Sequence, residues 1–377
     1  MHVVDTTMFF APQSGGVKRY LLAKQSWLAA RPEVRHTLLV PGPATLPARD
    51  GIATVATPFL LPFSGGYRLP LRPSPWKRCL LELAPDIIEV GDPYVGAWAA
   101  VDTAQALGVP AIAFHHSDVG RLLGTRIGGW ATRPTRAYLR ALYEKFDMVA
   151  APSHVMMSKL EDIGIRRIIL QPLGVDTDLF NPCRRDSELR RELGLPASTR
   201  LLVFAGRFAR EKNIPALLDA IRRLGPAYHL LLIGGDRVGR PERNVTLLRY
   251  QGQGSVLARY LASADALVHA GDNETFGLVL AEAMACGRPV VGVNAGAIPE
   301  IVDSSVGVLV PRAKGDLLAE GVQALFEQDI DLLGQQARRR VESRYSWDQV
   351  LQRLLALYRR LAGLPEPAAG ESQHVLR

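Results

Sequence analysis

Residues 266–293 read ALVHAGDNETFGLVLAEAMACGRPVVGV. The run opens as a short apolar strand, turns through the acidic, glycine-bearing loop GDNETFG, continues in helical period to a glycine, and ends in a second apolar strand. That order predicts one crossover unit of a parallel sheet. Where its helix starts, Phe276, Gly277 and Leu278 follow Thr275, and the first backbone N–H groups of a helix, together with its dipole, favour an anion. Glu274 stands at the mouth of this helix and Glu282 lies one to two turns inside it. Two carboxylates are poor ligands for the anion itself. They suit hydroxyl groups attached on either side of it, as in a nucleoside diphosphate sugar, with Glu274 toward the sugar and Glu282 toward the ribose. The plainer alternative is a helix-start charge beside an ordinary surface glutamate.

Working outward, the same alternation of apolar runs and helical segments recurs along the chain. Strands are expected at 2–5, 36–40, 87–90, 111–114 and 148–151, and a second series at 200–206, 229–235, 245–248, 266–271, 289–293 and 306–310. Between the series, LQPLGVDTDLFNPCRRD (170–186) carries two prolines and no period, which marks a linker. The expected organisation is an acceptor-binding domain over 1–172, a donor-binding domain over 173–345, a helix over 346–363 capped by Ser346 that packs back toward the first domain, and a flexible tail over 364–377. Two doubly wound α/β units place ligands at the carboxyl ends of their strands, facing a central cleft.

Three further stretches carry chemistry. FAGRFAREKN (204–213) leaves a strong strand with Arg207 and Lys212 on one loop, a planar fork and a point charge suited to a diphosphate. PQSGGVKRYL (12–21) places Gly15 and Gly16 between the first strand and a helix, where backbone N–H groups can approach a phosphate or acceptor; a tight turn explains the pair equally well. AFHHSDVGR (113–121) ends another strand with His115 and His116, donors for a sugar hydroxyl, followed by Asp118, a partner for an acceptor. G-x-G-x-x-G is missing after the first strand and after FAG and IGG, so a dinucleotide fingerprint is not what these glycines form.

The 377-residue chain, with 47% apolar residues and a net charge of +8, has the material for two cored domains and an affinity for something anionic. Cys79, Cys183 and Cys286 are too scattered for a zinc site or a disulfide frame and read as small buried side chains; no bound metal is expected. No apolar run reaches spanning length, and the N-terminus lacks a basic leader, so a cytoplasmic chain is expected, attached to a membrane only from its surface if at all. No acidic residue lies between Asp118 and Glu144, whereas Arg121, Arg126, Arg133, Arg136 and Arg140 alternate there with Leu122, Leu123, Ile127, Trp130 and Tyr138. With YRLPLRPSPWKRC (67–79), this suits an anionic membrane surface. No nucleic-acid recognition motif accompanies the charge.

GDNETFGLVLAEAMACGRPVV, FAGRFAREKN, PLGVDTDLFNP and SGGVKRYL together resemble the retaining glycosyltransferases of family 4, over about residues 3–362. The resemblance implies the GT-B fold, two Rossmann-like domains, and a hexosyltransferase using a GDP-mannose or UDP-glucose type donor on a lipid-linked or glycan acceptor. It puts Glu274 on the donor sugar, Glu282 on the ribose, Arg207 and Lys212 on the diphosphate, Gly15 and Gly16 in the N-terminal loop, and His116 near the donor sugar. It also implies catalysis without a metal or other cofactor, by a front-face route in which Glu274 is not a nucleophile. Leu173 departs from the Asn that the family commonly has in PNGVD, a change in the linker. A sugar-nucleotide or glycan-binding protein without activity, or a GT-B phosphorylase or epimerase, are the alternatives.

Overall fold

The computed structural model describes residues 1–11, 15–60, 66–116, 132–235, 243–249 and 252–365. The fold divides into two compact units. One comprises Met1–Pro152, Met156–Gln171 and the chain from Val350 onward, and the other Ser153–Val155 with Pro172–Gln349. No helix among the described residues is long and apolar enough to cross a membrane.

The first unit is built on an eight-stranded sheet in the order β3-β4-β2-β1-β5-β6-β7-β8. Its strands are β1 (His2–Thr6), β2 (Arg35–Gly42), β3 (Leu46–Arg49), β4 (Ile52–Ala56), β5 (Ile87–Val90), β6 (Ala111–Phe114), β7 (Met148–Ala151) and β8 (Ile168–Leu170). All pairings are parallel except β3 with β4. Strands β3, β4 and β8 are absent from the sequence expectations. Residues 46–49 (LPAR) are exposed and carry no apolar run, and Ile168–Leu170 is apolar but half-buried and only three residues long, shorter than the runs that mark a strand in sequence. β1 and β5 are buried throughout, covered on their faces by helices. The helices described in this unit include α1 (Gly16–Ala29), α2 (Ser74–Leu83), α3 (Val95–Leu107), α4 (Thr132–Tyr143) and α5 (His154–Asp162).

Burial of β1 and β5 takes Asp5 and Glu89 into the core, where α1 supplies the counter-charge. Lys24 Nζ lies 2.8 Å from Asp5 Oδ1 and 3.0 Å from Glu89 Oε1. His36 Nε2 is 2.9 Å from the second oxygen of Asp5, and Tyr20 donates to Glu89 Oε1 at 2.9 Å. Tyr358, from the C-terminal helix, donates to Glu89 Oε2 and accepts from Lys24. Burial opposes ionisation of Asp5, but Lys24 and His36 prevail and lower its pKa; in Glu89 burial prevails over Lys24 and raises it.

The second sheet has six strands in the order β11-β10-β9-β12-β13-β14: β9 (Arg200–Ala205), β10 (Tyr228–Ile233), β11 (Val245–Leu248), β12 (Ala266–His269), β13 (Val290–Val293) and β14 (Gly307–Val310). All are parallel. The helices described here are α6 (Leu189–Glu192), α7 (Ile214–Leu224), α8 (Gly254–Ser263), α9 (Leu278–Ala285), α10 (Ile298–Ile301), α11 (Gly315–Phe326) and α12 (Ile330–Arg344). Leu217 and Ile221 of α7 and Leu318 and Val322 of α11 share one core with Leu202, Leu230 and Val291 of the strands.

The expected linker begins inside β8 and contains a short 3-10 turn at Pro182–Arg184. Arg338 fastens it, donating from Nη1 to the carbonyls of Thr177, Phe180 and Ala285 at 2.7–3.0 Å. The last helix, α13 (Trp347–Leu361), starts as expected at Ser346, whose hydroxyl accepts from Gln349 N at 3.4 Å. From Val350 it belongs to the first unit. Cys79 and Cys286 are buried, but Cys183 is exposed on the linker turn, contrary to its reading as a core side chain. Residues 366–377 of the expected tail fall outside the described residues.

Lys24→Ala would leave two buried carboxylates without their cation. The stability of the protein is expected to fall by about 3–5 kcal/mol, read as a lower urea midpoint; a midpoint equal to wild type would show that the cluster does not depend on Lys24.

Candidate active site

In the second sheet β9 and β12 are neighbours, but the chain runs from β9 to β10 on one side and from β12 to β13 on the other. The strand order reverses between them, and at such a point the loops beyond the carboxyl ends diverge and leave room for a ligand. Here the diverging loops are 206–213 and 270–277, the stretches that carry the predicted donor residues. They are tied together: Asn213 Nδ2 donates to Ala270 O at 2.9 Å and Asp272 N to Glu211 O at 3.4 Å. Behind them, the loop after β13 supports Glu274, whose carbonyl accepts from Ala297 N at 2.9 Å. A Cβ on Gly296, which has φ +58°, would stand 2.7 Å from that carbonyl oxygen.

Glu274 and Lys212 form an ion pair, and both are partly buried. The same oxygen of Glu274, Oε1, also lies 2.6 Å from His269 Nε2. Burial raises the carboxyl pKa, but Lys212 and His269 outweigh it and hold the group well below the usual carboxylate range. This modifies the expectation for Lys212: in the free protein its partner is Glu274. Arg207 is exposed on the same loop.

Helix α9 begins after Gly277, which is left-handed at φ +95° and ψ +56° and offers no side-chain cap. The N–H groups of Leu280 and Ala281 already return to Gly277 O, at 3.0 and 3.4 Å. Those of Leu278 and Val279 precede them in the first turn, the donors that a helix start directs at an anion. Thr275 is half-buried, and its carbonyl accepts from Ser153 Oγ at 2.8 Å. Phe276 is buried, its ring edge-on to Tyr345 at 5.6 Å. Its side chain is therefore core, and only its backbone is available to a ligand. Glu282 is 3% exposed, an unusual setting for a carboxylate and at odds with an ordinary surface glutamate.

The first sheet has its own reversal, between β1 and β5. There Asp92, from the loop after β5, receives hydrogen bonds on Oδ2 from Thr7 Oγ1 at 2.9 Å and Met8 N at 2.5 Å. It thus fixes the start of the loop leading to Gly15 and Gly16. Burial pushes its pKa up to about 6, against the hydrogen bonds from Met8 and Thr7. Gly15 precedes α1 with φ −90°, and a Cβ there would meet nothing within 4 Å among the described residues. His116 is buried, stacked at 4.0 Å on the Phe114 ring and 5.1 Å from that of Tyr20. Burial, then the charge of Lys24, depresses its pKa to about 3, so it is a neutral imidazole at neutral pH. His115 faces elsewhere, with Nδ1 2.9 Å from the Tyr143 hydroxyl. Asp118 lies outside the described residues, as do Arg121, Leu122, Leu123, Arg126, Ile127 and Trp130.

Sequence reasoning missed His269 and Asp92. His269 closes the apolar run ALVH five residues before Glu274 and was read only as strand; a polar ring at the carboxyl end of a buried strand is the signal it offered. Asp92 offered the same signal after IIEV.

Two doubly wound parallel-sheet units, the second with an anion-seeking helix start, cations and a carboxylate at its reversal point, define the GT-B glycosyltransferases. The sequence model described as glycosyl transferases group 1 matches residues 185–344, and that described as Glycosyltransferase Family 4 matches residues 14–179. The chain belongs to this family and is a glycosyltransferase. It is 29% identical over 374 residues to the GDP-mannose-dependent alpha-(1-6)-phosphatidylinositol dimannoside mannosyltransferase of Mycobacterium tuberculosis, covering 94% of this chain and 95% of that one. To the GDP-mannose-dependent alpha-mannosyltransferase of Corynebacterium glutamicum it is 28% identical, over 82% of this chain and 76% of the other. The solved sucrose-phosphate synthase of Thermosynechococcus elongatus shares its fold, with a TM-score of 0.79 at 22% identity over 96% of this chain and 99% of that one.

The Asp92 carboxyl predicts a pH dependence. A folded-state pKa raised above the unfolded value gives stability that is present at low pH and lost as pH rises through about 6. Relative to Asp92→Asn, wild type should therefore lose up to about 3 kcal/mol between pH 4 and 7, measured by urea unfolding at each pH. Parallel pH profiles for the two proteins would count against a buried, destabilised carboxylate.

Proposed function

We propose that the protein transfers a mannose from GDP-mannose to a hydroxyl of a lipid-linked acceptor, with retention at the anomeric carbon and without a metal ion. The observation that carries this reading is the pairing of Lys212 with the Glu274 carboxylate beside the uncapped start of α9 at the strand reversal of the second sheet, with Arg207 on the same loop as Lys212. The donor and acceptor classes are supported by the GDP-mannose-dependent relatives, one of which acts on a phosphatidylinositol dimannoside.

Arg207, Lys212 and the N–H groups of α9 would hold the diphosphate and stabilise the charge that grows on it as the bond to the sugar breaks. Glu274 would accept hydrogen bonds from the sugar hydroxyls, and Glu282 from the ribose. The acceptor hydroxyl would attack the anomeric carbon on the face from which the diphosphate departs. As the new C–O bond forms, the old one passes its electrons to the leaving phosphate oxygen, which takes the acceptor's proton. His116, kept neutral, would hold a sugar hydroxyl rather than exchange a proton, Gly15 and Gly16 would contribute to donor binding, and Asp118 to acceptor binding.

Nucleotide release from GDP-mannose and UDP-glucose, with and without membrane lipid extract, tests this. Release from GDP-mannose is expected to persist in EDTA, to yield the product of unchanged anomeric configuration by NMR, and to fall by roughly 10²-fold or more in Glu274→Ala and Lys212→Ala. Loss in EDTA would overturn metal independence; full activity in both variants would overturn the site.

An anionic membrane surface is proposed as the place where the acceptor is met. Phe59, Leu60 and Leu71 are more than half exposed, and Arg72 and Arg78 are exposed in the same stretch of chain. Trp76, expected to be part of this patch, is instead 1% exposed, because it is the core-facing residue of α2. Phe59→Asp with Leu71→Asp is expected to abolish sedimentation with phosphatidylglycerol vesicles, and undiminished sedimentation would refute the patch.

A further inference from the structure

We infer that His269 is a positioning residue: it is the fixed partner that keeps the Glu274 carboxylate aimed when Lys212, its exchangeable partner, turns to the diphosphate of the donor. This rests on the reading that Glu274 binds the donor sugar and Lys212 its diphosphate.

Lys212 and His269 meet the same carboxylate oxygen, Oε1. Oε2 accepts no hydrogen bond among the described residues and is the atom left for a sugar hydroxyl. One ammonium thus has two anionic claimants, Glu274 in the free protein and a diphosphate in the complex. The diphosphate carries the greater charge, and Lys212 can answer it: its side chain is 18% exposed, on a flexible four-carbon stem. His269 cannot follow. It is 0% exposed at the end of β12, and its ring is stacked on Phe204 at 5.6 Å with an interplanar angle of 15°.

The imidazole is also in the form this role needs. Nε2 lies 2.6 Å from Oε1, while Nδ1 has no hydrogen-bond partner among the described residues. With the proton on Nε2, the ring donates to the carboxylate and leaves only a lone pair at Nδ1, rather than a buried N–H lacking an acceptor. The backbone makes space for the contact. A Cβ on Gly271 would stand 2.7 Å from His269 Nε2 and 3.2 Å from Glu274 Oε1, inside the hydrogen-bonded pair.

His269→Phe keeps the buried, stacking ring and removes the donor, and His269→Gln removes the ring and keeps an amide N–H in place of Nε2. The two are compared with wild type and Glu274→Gln for GDP affinity by calorimetry and for kcat and KM with GDP-mannose. His269→Phe is expected to bind GDP as wild type does but to lose about 10²-fold in kcat/KM for GDP-mannose, with His269→Gln recovering part of that loss. Equal loss of GDP affinity in His269→Phe, or no recovery in His269→Gln, would mean that the residue acts only through packing and would overturn the inference. So would full activity in His269→Phe alongside an inactive Glu274→Gln, which leaves the donor-site reading standing. Full activity in Glu274→Gln would overturn that reading itself.

Discussion

The Glu274 carboxylate is held by two cation-capable groups on one oxygen, and that interaction exists because strand order reverses between β9 and β12. Lys212 arrives from the loop of one strand, and His269 and Glu274 from the end and loop of its neighbour. Parallel strands put both carboxyl ends at the same edge, and the opposite directions of the two crossovers keep either loop from covering the other. The Asn213 side-chain amide and the Ala297 backbone N–H then fix the loops by donating to backbone carbonyls, so that residues 57 to 62 positions apart in sequence meet at bonding distance.

The two units use buried charge differently. In the first, Lys24 is shared by Asp5 and Glu89, Tyr20 adds a second bond to the Glu89 oxygen that Lys24 meets, and the remaining two oxygens are met by Tyr358 and His36. Both partners are enclosed, which makes the cluster a structural one that joins α1, α13 and the sheet. In the second, the pair Lys212–Glu274 is enclosed on one side only, and Glu274 keeps an oxygen uncommitted among the described residues. Enclosure with full pairing fixes a fold; pairing that leaves one acceptor over prepares a site.

Much of this was legible in the sequence because parallel strands are buried on both faces and so announce themselves as apolar runs. The central strands of both sheets were found this way, as were the helix start at Gly277 and the loop bearing Arg207 and Lys212. The strands at 46–49, 52–56 and 168–170 were not: β3 is an exposed edge strand, β8 an edge strand of only three residues, and β4, inside the sheet, is a short segment broken by Thr54 and buried only at alternate positions. The exposed Cys183 and the buried Trp76 were misread for a related reason: composition says what a side chain prefers, and the face of the element on which it lies decides where it goes.

By itself the sequence determined the two parallel-sheet units, the family and the residues proposed for the donor site, because these follow from local periodicity and from motifs a few residues long. It could not show that Lys212 and His269 share one oxygen of Glu274, or that Asp92 fastens the loop after β1. Nor could it show that burial, and after it the charge of Lys24, depresses the pKa of His116. Those relations depend on which strands become neighbours and on how much water burial removes, and only the packed tertiary structure fixes either.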